Sequence, residues 1–342
     1  MLIEICRKAT ISLGFLNKVR DRINKRPVLS LVNSMKDLVL SVSMKVKETS
    51  RHFIITIGRH PEAVVFFLCA ASSVGIVFFM FFTMMIEGFP AIANWFLHGF
   101  GMRWIPYAGS DTNVPPQFGI IPFIFSTLYV GAGGVLIAAV LGIPCAIYLA
   151  EFAHPQVRNT IKTSLEVLTG LPSVVIGLFG FVLIVGVTAT YFGAGISVLA
   201  GWIVLAIMSL PHIVTISEDA MRAVPDSYRE AALGTGATKW QTTIHVVVPA
   251  AKSGILTALI LALGNAIGET MAVLMVIGGV LTPQITFDPR VGSNVMTALI
   301  ATEYADIPTP EWWQALFGVG FILFVMVGIL NIATKGVLKA RS

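Results

Sequence analysis

Residues 229–249 read REAALGTGATKWQTTIHVVVP, and this stretch decides how the rest of the chain is interpreted. It is a polar segment of about twenty residues between two strongly apolar runs, 195–216 and 254–281. Lysine and arginine are concentrated on the same side of these runs. A segment of this size between two membrane spans predicts a docking surface, and it indicates that another subunit supplies mechanical work to the membrane part.

The composition predicts an integral membrane protein. Hydrophobic residues make up 56% of the chain and charged residues only 12%, whereas soluble domains average about 25% charged residues. Residues 63–86 contain no charge and would extend about 36 Å as a helix, enough to cross a hydrocarbon core of about 30 Å. A membrane barrel would alternate with a period of two, so we expect an all-α polytopic membrane protein.

Six spans are predicted within a transmembrane domain at 63–335. A basic tail at 1–62 precedes this domain, a short tail at 336–342 follows it, and the polar loop at 217–253 contains the opening segment. The approximate limits of the spans are 63–86, 119–150, 172–191, 195–216, 254–281 and 315–334.

The distribution of lysine and arginine predicts the topology. The segments at 1–62, 151–171, 217–253 and 335–342 hold 12, 2, 4 and 3 basic residues, which is 21 of the 23 in the chain. Cytoplasmic loops carry an excess of such residues, so both termini are expected in the cytoplasm. The net charge of +5 follows mainly from this asymmetry and gives no reason to expect nucleic-acid binding.

Two features remain open to more than one interpretation. The basic tail at 1–62 has apolar residues at helical spacing, which suits either an amphipathic helix on anionic lipid or a partly ordered tail that only sets topology. The predicted outer segments 87–118 and 282–313 are rich in tryptophan and proline. Their tryptophans are expected mainly to anchor the membrane interface, although an external partner would also contact such segments.

The polar loop is predicted to contain two short helices. Ser227 and Glu230 have the spacing of a capping box, and so do Thr238 and Gln241. Gly234 and Gly236 between them allow the positive φ that ends a helix.

The same loop resembles the EAA loop of the permease subunits of ATP-binding-cassette importers. That pattern is Glu-Ala-Ala, three residues, Gly, nine residues, Ile, one residue and Leu-Pro. Val246 and Val248 replace the Ile and the Leu, and five residues match in register: Glu230, Ala231, Ala232, Gly236 and Pro249. The resemblance implies that the loop forms a coupling helix in a groove of an ATPase subunit, with Glu230, Ala231, Ala232 and Gly236 as the coupling residues.

Two further stretches resemble the permeases of phosphate importers. Residues 168–180 read LTGLPSVVIGLFG, and residues 266–273 read AIGETMAV, which is similar to the PstC type. The similarity covers roughly residues 60–335. It implies the type I importer (MetI-like) fold and phosphate as substrate. It also implies three kinds of partner: a PstA-type permease, an ATPase dimer that binds the ATP, and an extracytoplasmic phosphate-binding protein.

Glu269 is the ionisable residue predicted midway along the fifth span, 254–281. An acid there costs about 2.5–3.5 kcal/mol on insertion scales, so it should face protein or a watery path. One interpretation places Glu269, Asn265 and Thr270 on the translocation path, because phosphate carries a proton that it can donate to a carboxylate, whereas sulfate does not. Two alternatives are a hydrogen bond between helices and a position nearer the interface. Asn265 stands where the resembling permeases often have arginine.

Gly264 and Gly268 form a GxxxG pattern on the same span. It suits either contact with a second permease or packing within this chain.

No catalytic or metal-binding arrangement is found. The chain lacks GxxxxGK[ST], so we expect no ATPase site of its own and no cofactor. The cysteines at 6, 69 and 145 are scattered, and so are the histidines; His212 is interpreted as a satisfied polar residue.

The alternatives for function are a permease for sulfate, molybdate or tungstate, a secondary transporter or channel, and a membrane sensor.

Overall fold

The computed structural model describes residues 61–98, 100–106, 116–280, 285–306 and 309–339. The basic tail and its possible amphipathic helix therefore lie almost entirely outside the described residues. The described chain is overwhelmingly helical. Its α-helices are α1 Pro61–His98, α2 Ile121–Ile147, α3 Pro155–Thr169, α4 Ser173–Phe179, α5 Val185–Phe192, α6 Val198–Arg222, α7 Asp226–Gly234, α8 Lys239–Thr242, α9 Val248–Ala250, α10 Lys252–Gly268, α11 Met271–Ile277, α12 Met296–Glu303 and α13 Pro310–Lys339.

Short elements join these helices. An antiparallel ladder pairs β1, Trp104–Ile105, with β2, Gln117–Phe118. In the described part of the chain, π-helical turns lie at Tyr148–Phe152, Gly180–Ile184 and Thr243–Val247, and a 3₁₀ turn lies at Tyr304–Asp306.

Among the described residues, five helical stretches are long and apolar enough to cross a membrane. A sixth crossing is possible if the pair Lys239–Ala250 and Lys252–Gly268, bent by 65°, counts as one broken span. This agrees with the expected all-α polytopic fold. The five stretches are Val64–Phe96, Ile121–Phe152, Ser173–Phe192, Val198–Arg222 and Pro310–Ala333.

The chain divides into two compact units, Met1–Phe79 and Met80–Ser342. The described part of the first unit is the first half of α1, which is rich in exposed apolar side chains such as Phe66 and Phe79. Helices whose apolar side chains are exposed in this way suit contact with lipid.

The second unit is built around the pair α2 and α6, which make the most extensive helix–helix contact. Glycine on α2 permits this close approach. A Cβ added at Gly134 would lie 2.6 Å from Cβ of Leu205, and one added at Gly133 would lie 2.1 Å from the ring of Trp202. The Trp202 indole N–H donates back to the Tyr129 carbonyl at 3.1 Å. Close backbone approach of this kind is typical of helices packed in membranes.

The fifth predicted span is not one helix, which corrects the interpretation of 254–281. Helix α10 ends at Gly268, Glu269 is extended at φ −70° and ψ 130°, and α11 begins at Met271. Gly278 and Gly279, both with positive φ, end α11. The physical reason lies in Gly268-Glu269-Thr270: glycine is a poor helix former, and the Glu269 carboxylate accepts the Ala272 N–H of the next helix at 3.2 Å.

Three of the four tryptophans of the predicted outer segments are buried inside the protein, contrary to the expected anchoring at the membrane interface, and the fourth, Trp313, is half-buried. Trp95, Trp104 and Trp312 are 6%, 1% and 0% exposed, and they share a core with Phe123 and Leu316. The Trp95 indole N–H donates to the Phe118 carbonyl at 2.8 Å. Contacts within the protein thus cover aromatic side chains that the composition alone places at the membrane interface.

A buried helix lies within the predicted outer segment 282–313. Four consecutive residues of α12, Met296, Thr297, Ala298 and Leu299, are buried. The Thr127 hydroxyl accepts the Met296 N–H at 3.0 Å, and the hydroxyls of Ser126 and Ser293 lie 2.7 Å apart. These bonds to α2 draw the segment into the fold, so it is more than a surface loop.

Gly318 gives a test of this packing, because a Cβ added there would lie 2.9 Å from ring carbons of Trp95, whose indole N–H is tied to Phe118. We expect Gly318→Ala to destabilise the protein by about 1–3 kcal/mol through overpacking, measured as a lower thermal unfolding midpoint in detergent. Gly328→Ala, on the same helix with no atom within 4 Å of the added Cβ among the described residues, is the control and should leave the midpoint unchanged or raise it. Equal midpoints for the two variants would contradict this packing.

Candidate functional site

The polar loop folds into α7 and α8, joined by a tight turn. Helix α7 ends in a Schellman motif: the N–H of Ala237 donates to the Ala232 carbonyl at 3.2 Å, and the N–H of Gly236 donates to the Leu233 carbonyl at 3.0 Å. Gly236 has φ 88°, which a residue with a side chain rarely adopts. Gly234 remains helical, so only one of the two glycines expected to adopt positive φ does so.

The first of the two predicted capping boxes is wrong. Pro225 stands at the N-cap of α7, the helix begins at Asp226, and Ser227 already lies in its first turn. Asp226 pairs with Arg229 at 3.0 Å, so an ion pair replaces the serine cap at this end.

The second predicted capping box is confirmed. The Thr238 hydroxyl accepts the Gln241 N–H at 3.3 Å, and the Gln241 side chain accepts the Thr238 N–H at 2.9 Å. This box fixes the start of α8 directly after the turn at Gly236.

Arg229 binds the loop to the ends of two membrane helices. Its Nε and Nη2 donate to Oε1 of Glu151 at 3.2 and 2.9 Å. Its remaining bonds go to the carbonyls of Met221 at 2.9 Å and Val224 at 2.6 Å, and to Asp226. The Arg229 and Glu151 side chains are 18% and 7% exposed. Hydrogen bonding to Glu151 raises the pKa of Arg229, so the guanidinium stays charged. We call this ion pair the Arg229–Glu151 clamp.

An aromatic contact ties α8 to the same place. The rings of Phe152 and Trp240 lie 6.0 Å apart, and the Lys239 ammonium lies 5.3 Å from the centre of the Phe152 ring. Phe152 and Glu151 both belong to the π-helical turn that follows α2. Both short helices of the loop therefore rest on one turn at the end of α2.

The outer surface of the loop is open. Glu230, Ala231 and Gly236 are exposed, and Ala232 is half-buried. Three large apolar side chains of the loop are also exposed: Tyr228, Leu233 and Trp240 at 56%, 49% and 60%. Small residues, a carboxylate and exposed aromatic surface on a fixed scaffold are suited to binding another protein.

A second charged cluster ties α3 to the end of α6. The Lys162 ammonium donates to Glu218 at 2.9 Å and to Asp219 at 2.8 Å. The Glu218 side chain is only 3% exposed. Hydrogen bonds to Asp219 and to Glu218 raise the pKa of Lys162, so the ammonium remains charged and compensates a buried carboxylate. The same end of α6 carries the Met221 carbonyl that binds Arg229.

A cavity of about 330 Å³ lies between α6 and the broken span. It brings together two of the three residues predicted for the translocation path, Asn265 and Glu269, whereas Thr270 does not line it. Its other polar side chains are Ser209 and His212 of α6. Because a helix rises about 1.5 Å per residue, His212 lies about 21 Å along α6 from Val198, four residues before the end of the apolar run 195–216.

Ser209 and His212 were missed as site residues from the sequence. The sequence signal for them is a polar pair three residues apart, which places both side chains on one face of an otherwise apolar helix. Polar side chains within membrane spans often line substrate pathways. His212 was instead interpreted as a satisfied polar residue, and its Nδ1 does lie 3.3 Å from the Met208 carbonyl. That contact leaves the rest of the ring at the cavity wall.

Glu269 stands at the helix break and is half-buried. Its carboxylate accepts the Ala272 N–H at 3.2 Å, and its backbone carbonyl accepts the Thr297 hydroxyl at 2.9 Å. One bond occupies one of about four acceptor positions of a carboxylate, so this group retains capacity towards the cavity. The hydrogen bond of the Glu269 side chain goes to a residue three positions further along the chain. It therefore does not join two spans, as one of the alternatives for Glu269 expected.

The GxxxG face of α10 is open within the described chain. A Cβ added at Gly264 or at Gly268 would meet no atom within 4 Å among the described residues. The interpretation that these glycines serve internal packing is therefore wrong for this part of the chain. Asn265 between them is also exposed.

Comparison with known proteins identifies a family. Residues 142–340 match the binding-protein-dependent transport system inner membrane component family. The chain is 32% identical over 311 residues to the probable ABC transporter permease protein YqgH of Bacillus subtilis, covering 86% of this chain and 94% of that protein. It is 34% identical over 255 residues to the phosphate transport system permease protein PstC of Mesorhizobium japonicum, covering 68% and 77%.

Solved structures share the fold. A subunit of the MetNI methionine ABC transporter superposes with a TM-score of 0.53 at 18% identity, covering 65% of this chain and 96% of that chain. A bacterial ABC transporter for the import of alginate gives a TM-score of 0.53 at 15% identity, covering 84% and 97%. The expected type I importer fold is thereby confirmed.

The resemblance to PstC-type ABC permeases, which began with the segment at 229–249, is confirmed, and the apolar helices together with the family make this a multi-pass membrane protein. The chain belongs to the family of binding-protein-dependent transport system inner membrane components.

Proposed function

We propose that this chain is the permease subunit of an ATP-driven phosphate importer and that it forms half of the translocation path. The observation that carries the proposal is the exposed surface of α7 and α8, which includes Glu230, Ala231 and Trp240. This α7–α8 surface is held to the membrane helices by the Arg229–Glu151 clamp. Glu230, Ala231, Ala232 and Gly236 would contact an ATPase subunit, which binds and hydrolyses the ATP.

The clamp gives a physical route from that surface to the cavity. Movement of α7 acts through Arg229 on Glu151 after α2 and on the Met221 carbonyl near the end of α6. Helix α6 then carries Ser209 and His212 at the cavity wall. Closure of an ATPase dimer would therefore move the same helix that lines the path.

The anion would pass Glu269 and Asn265 in the cavity, with Thr270 beside them at the helix break. Phosphate at neutral pH keeps a proton that it can donate to a carboxylate, and fully ionised sulfate has none. A carboxylate acceptor on the path thus favours phosphate over sulfate. The relatives named as phosphate permeases support this substrate.

The partners follow from what this chain leaves incomplete. Gly264 and Gly268 belong to the wall of the cavity, and a Cβ added at either would meet no atom within 4 Å among the described residues, so a second, PstA-type permease would face the cavity there and complete the path. An extracytoplasmic phosphate-binding protein would deliver the anion. The concentration of lysine and arginine supports an orientation with both termini and the α7–α8 surface in the cytoplasm.

Reconstitution tests the proposal directly. Vesicles that contain this chain with its cognate second permease and ATPase should accumulate phosphate only when ATP and the phosphate-binding protein are supplied. Uptake that persists without ATP and without the ATPase would contradict the proposal and favour a secondary transporter.

Cross-linking tests the coupling surface. In a chain whose native cysteines at 6, 69 and 145 are replaced, Ala231→Cys bearing a short photo-activated cross-linker should capture the ATPase subunit. The yield should change when ATP is added, because closure of the ATPase alters the contact. Denaturing gel electrophoresis measures the captured fraction.

The matched control is Tyr191→Cys, at the other end of the membrane helices and 78% exposed. It should capture no ATPase. Equal capture at the two positions, or none at position 231, would overturn the assignment of this surface.

Substitution of Glu269 tests the anion path. Glu269→Gln keeps an acceptor for the Ala272 N–H but removes the charge, so the preference for phosphate over sulfate should fall by about tenfold, which corresponds to about 1.4 kcal/mol. Competition between labelled phosphate and unlabelled sulfate in the reconstituted vesicles measures the preference.

The control for this substitution is Glu311→Gln, an exposed acid at the start of α13 that does not line the cavity. It should transport as the unaltered chain does. An unchanged phosphate preference in Glu269→Gln would remove Glu269 from the selectivity site.

A further inference from the structure

The cavity at the broken span contains one acidic and one basic titratable side chain. Glu269 and His212 both line it, together with the neutral polar groups of Ser209 and Asn265. An oxyanion in this space would meet a carboxylate and needs a hydrogen-bond donor or a positive charge to offset the repulsion. Among the described residues that line the cavity, His212 is the side chain that can supply a positive charge.

The tautomer of His212 follows from its backbone contact. A carbonyl oxygen only accepts hydrogen bonds, so the contact of 3.3 Å between Nδ1 and the Met208 carbonyl places the hydrogen on Nδ1. Nε2 then carries a lone pair in the neutral ring. Within the described ranges Nε2 has no hydrogen-bond partner. Addition of a proton would convert it from an acceptor into a charged donor.

We propose that His212 binds a proton together with the transported oxyanion and donates a hydrogen bond to it from Nε2. The inference rests on the proposed function and adds to it the group that neutralises the anion. The proton is taken up from the bulk aqueous solution at the cavity mouth and returns to it when the anion leaves. Binding would then strengthen as His212 becomes charged, because charge-assisted hydrogen bonds to an anion are the stronger ones.

Few other charges act on this ring. The described helices packed against α6 carry titratable side chains, but Glu269 is the one that shares the cavity with His212. Glu218 and Asp219, further along α6, are paired with Lys162. The other titratable side chains of α6 and of the elements packed against it do not line the cavity: Tyr129 and Cys145 on α2, Tyr148 and Glu151 on the π-helical turn after α2, Arg158, Lys162 and Glu166 on α3, Tyr191 on α5, Arg222 on α6 and Lys252 on α10.

The first experiment compares phosphate uptake at about pH 6 and about pH 8 in vesicles that contain the complete complex, since imidazole changes charge across this range. His212→Asn retains a donor at the position of Nδ1 for the Met208 carbonyl but removes Nε2. It should reduce uptake at about pH 6 by about tenfold, the effect of one lost charged hydrogen bond. Uptake at about pH 6 divided by uptake at about pH 8 should also be lower for His212→Asn than for the unaltered chain. The titration of phosphate itself is the same in both experiments, so it does not contribute to this difference.

A relocated charge separates this role from a structural one. Asn265 lines the same cavity, so adding Asn265→Arg to His212→Asn supplies a cation that does not titrate. This double variant should regain uptake at both pH values with the weak pH dependence of His212→Asn. Failure to regain uptake would mean that His212 acts through folding, and it would overturn the inference.

The two proposals fail in different ways. Vesicles with the unaltered chain that take up no phosphate with ATP at either pH would contradict the proposed function and this inference together. ATP-driven uptake by the unaltered chain, with the same pH profile in His212→Asn, would contradict only the role of His212.

Discussion

The guanidinium of Arg229 joins elements that would otherwise end separately at one face of the protein. It binds Glu151 after α2, the Met221 carbonyl at the end of α6, and the Val224 carbonyl and Asp226 at the start of α7. Removal of Arg229 or of Glu151 would leave the charge of the other uncompensated in a largely buried site, which is strongly destabilising. The interaction therefore sets where α7 can lie, and the exposed residues that follow Arg229 depend on it for their position.

The same connection relates the exposed surface to the cavity inside the membrane part. Helices α2 and α6 pack through glycines along their length, so a push on their shared end is carried through close-packed material that deforms little. Helix α6 lies beside the break at Glu269, where the chain leaves helical geometry before α11 begins. A break inside an apolar span exposes polar groups at depth, and such backbone is tolerated where it lines a cavity. The structure thus places the cavity at Glu269 beside the helix that the Arg229–Glu151 clamp holds.

Much of this was predictable from sequence, and the failures have physical causes. Apolar runs such as 63–86 and the capping box at Thr238 are local signals, and both lead to the observed helices. The break at Glu269 was missed because hydropathy records the length of an apolar run but not its backbone geometry. The burial of Trp312 and of α12 depends on contacts between distant segments, as does the meeting of His212 with Glu269 in one cavity. The clamp joins residues 78 positions apart, a distance at which a single sequence carries no pairing signal.

The ratio of phosphate transported to ATP hydrolysed, with Arg229→Lys in the reconstituted complex, tests the central claim most directly. Lysine keeps the charge but loses the planar fork that binds Glu151 and the two carbonyls together. The account predicts that ATP hydrolysis persists while transport per ATP falls by about tenfold, equivalent to about 1.4 kcal/mol of coupling. Asp226→Asn, which removes only an exposed partner of Arg229, should leave the ratio near that of the unaltered chain. An unchanged ratio in Arg229→Lys would contradict the account.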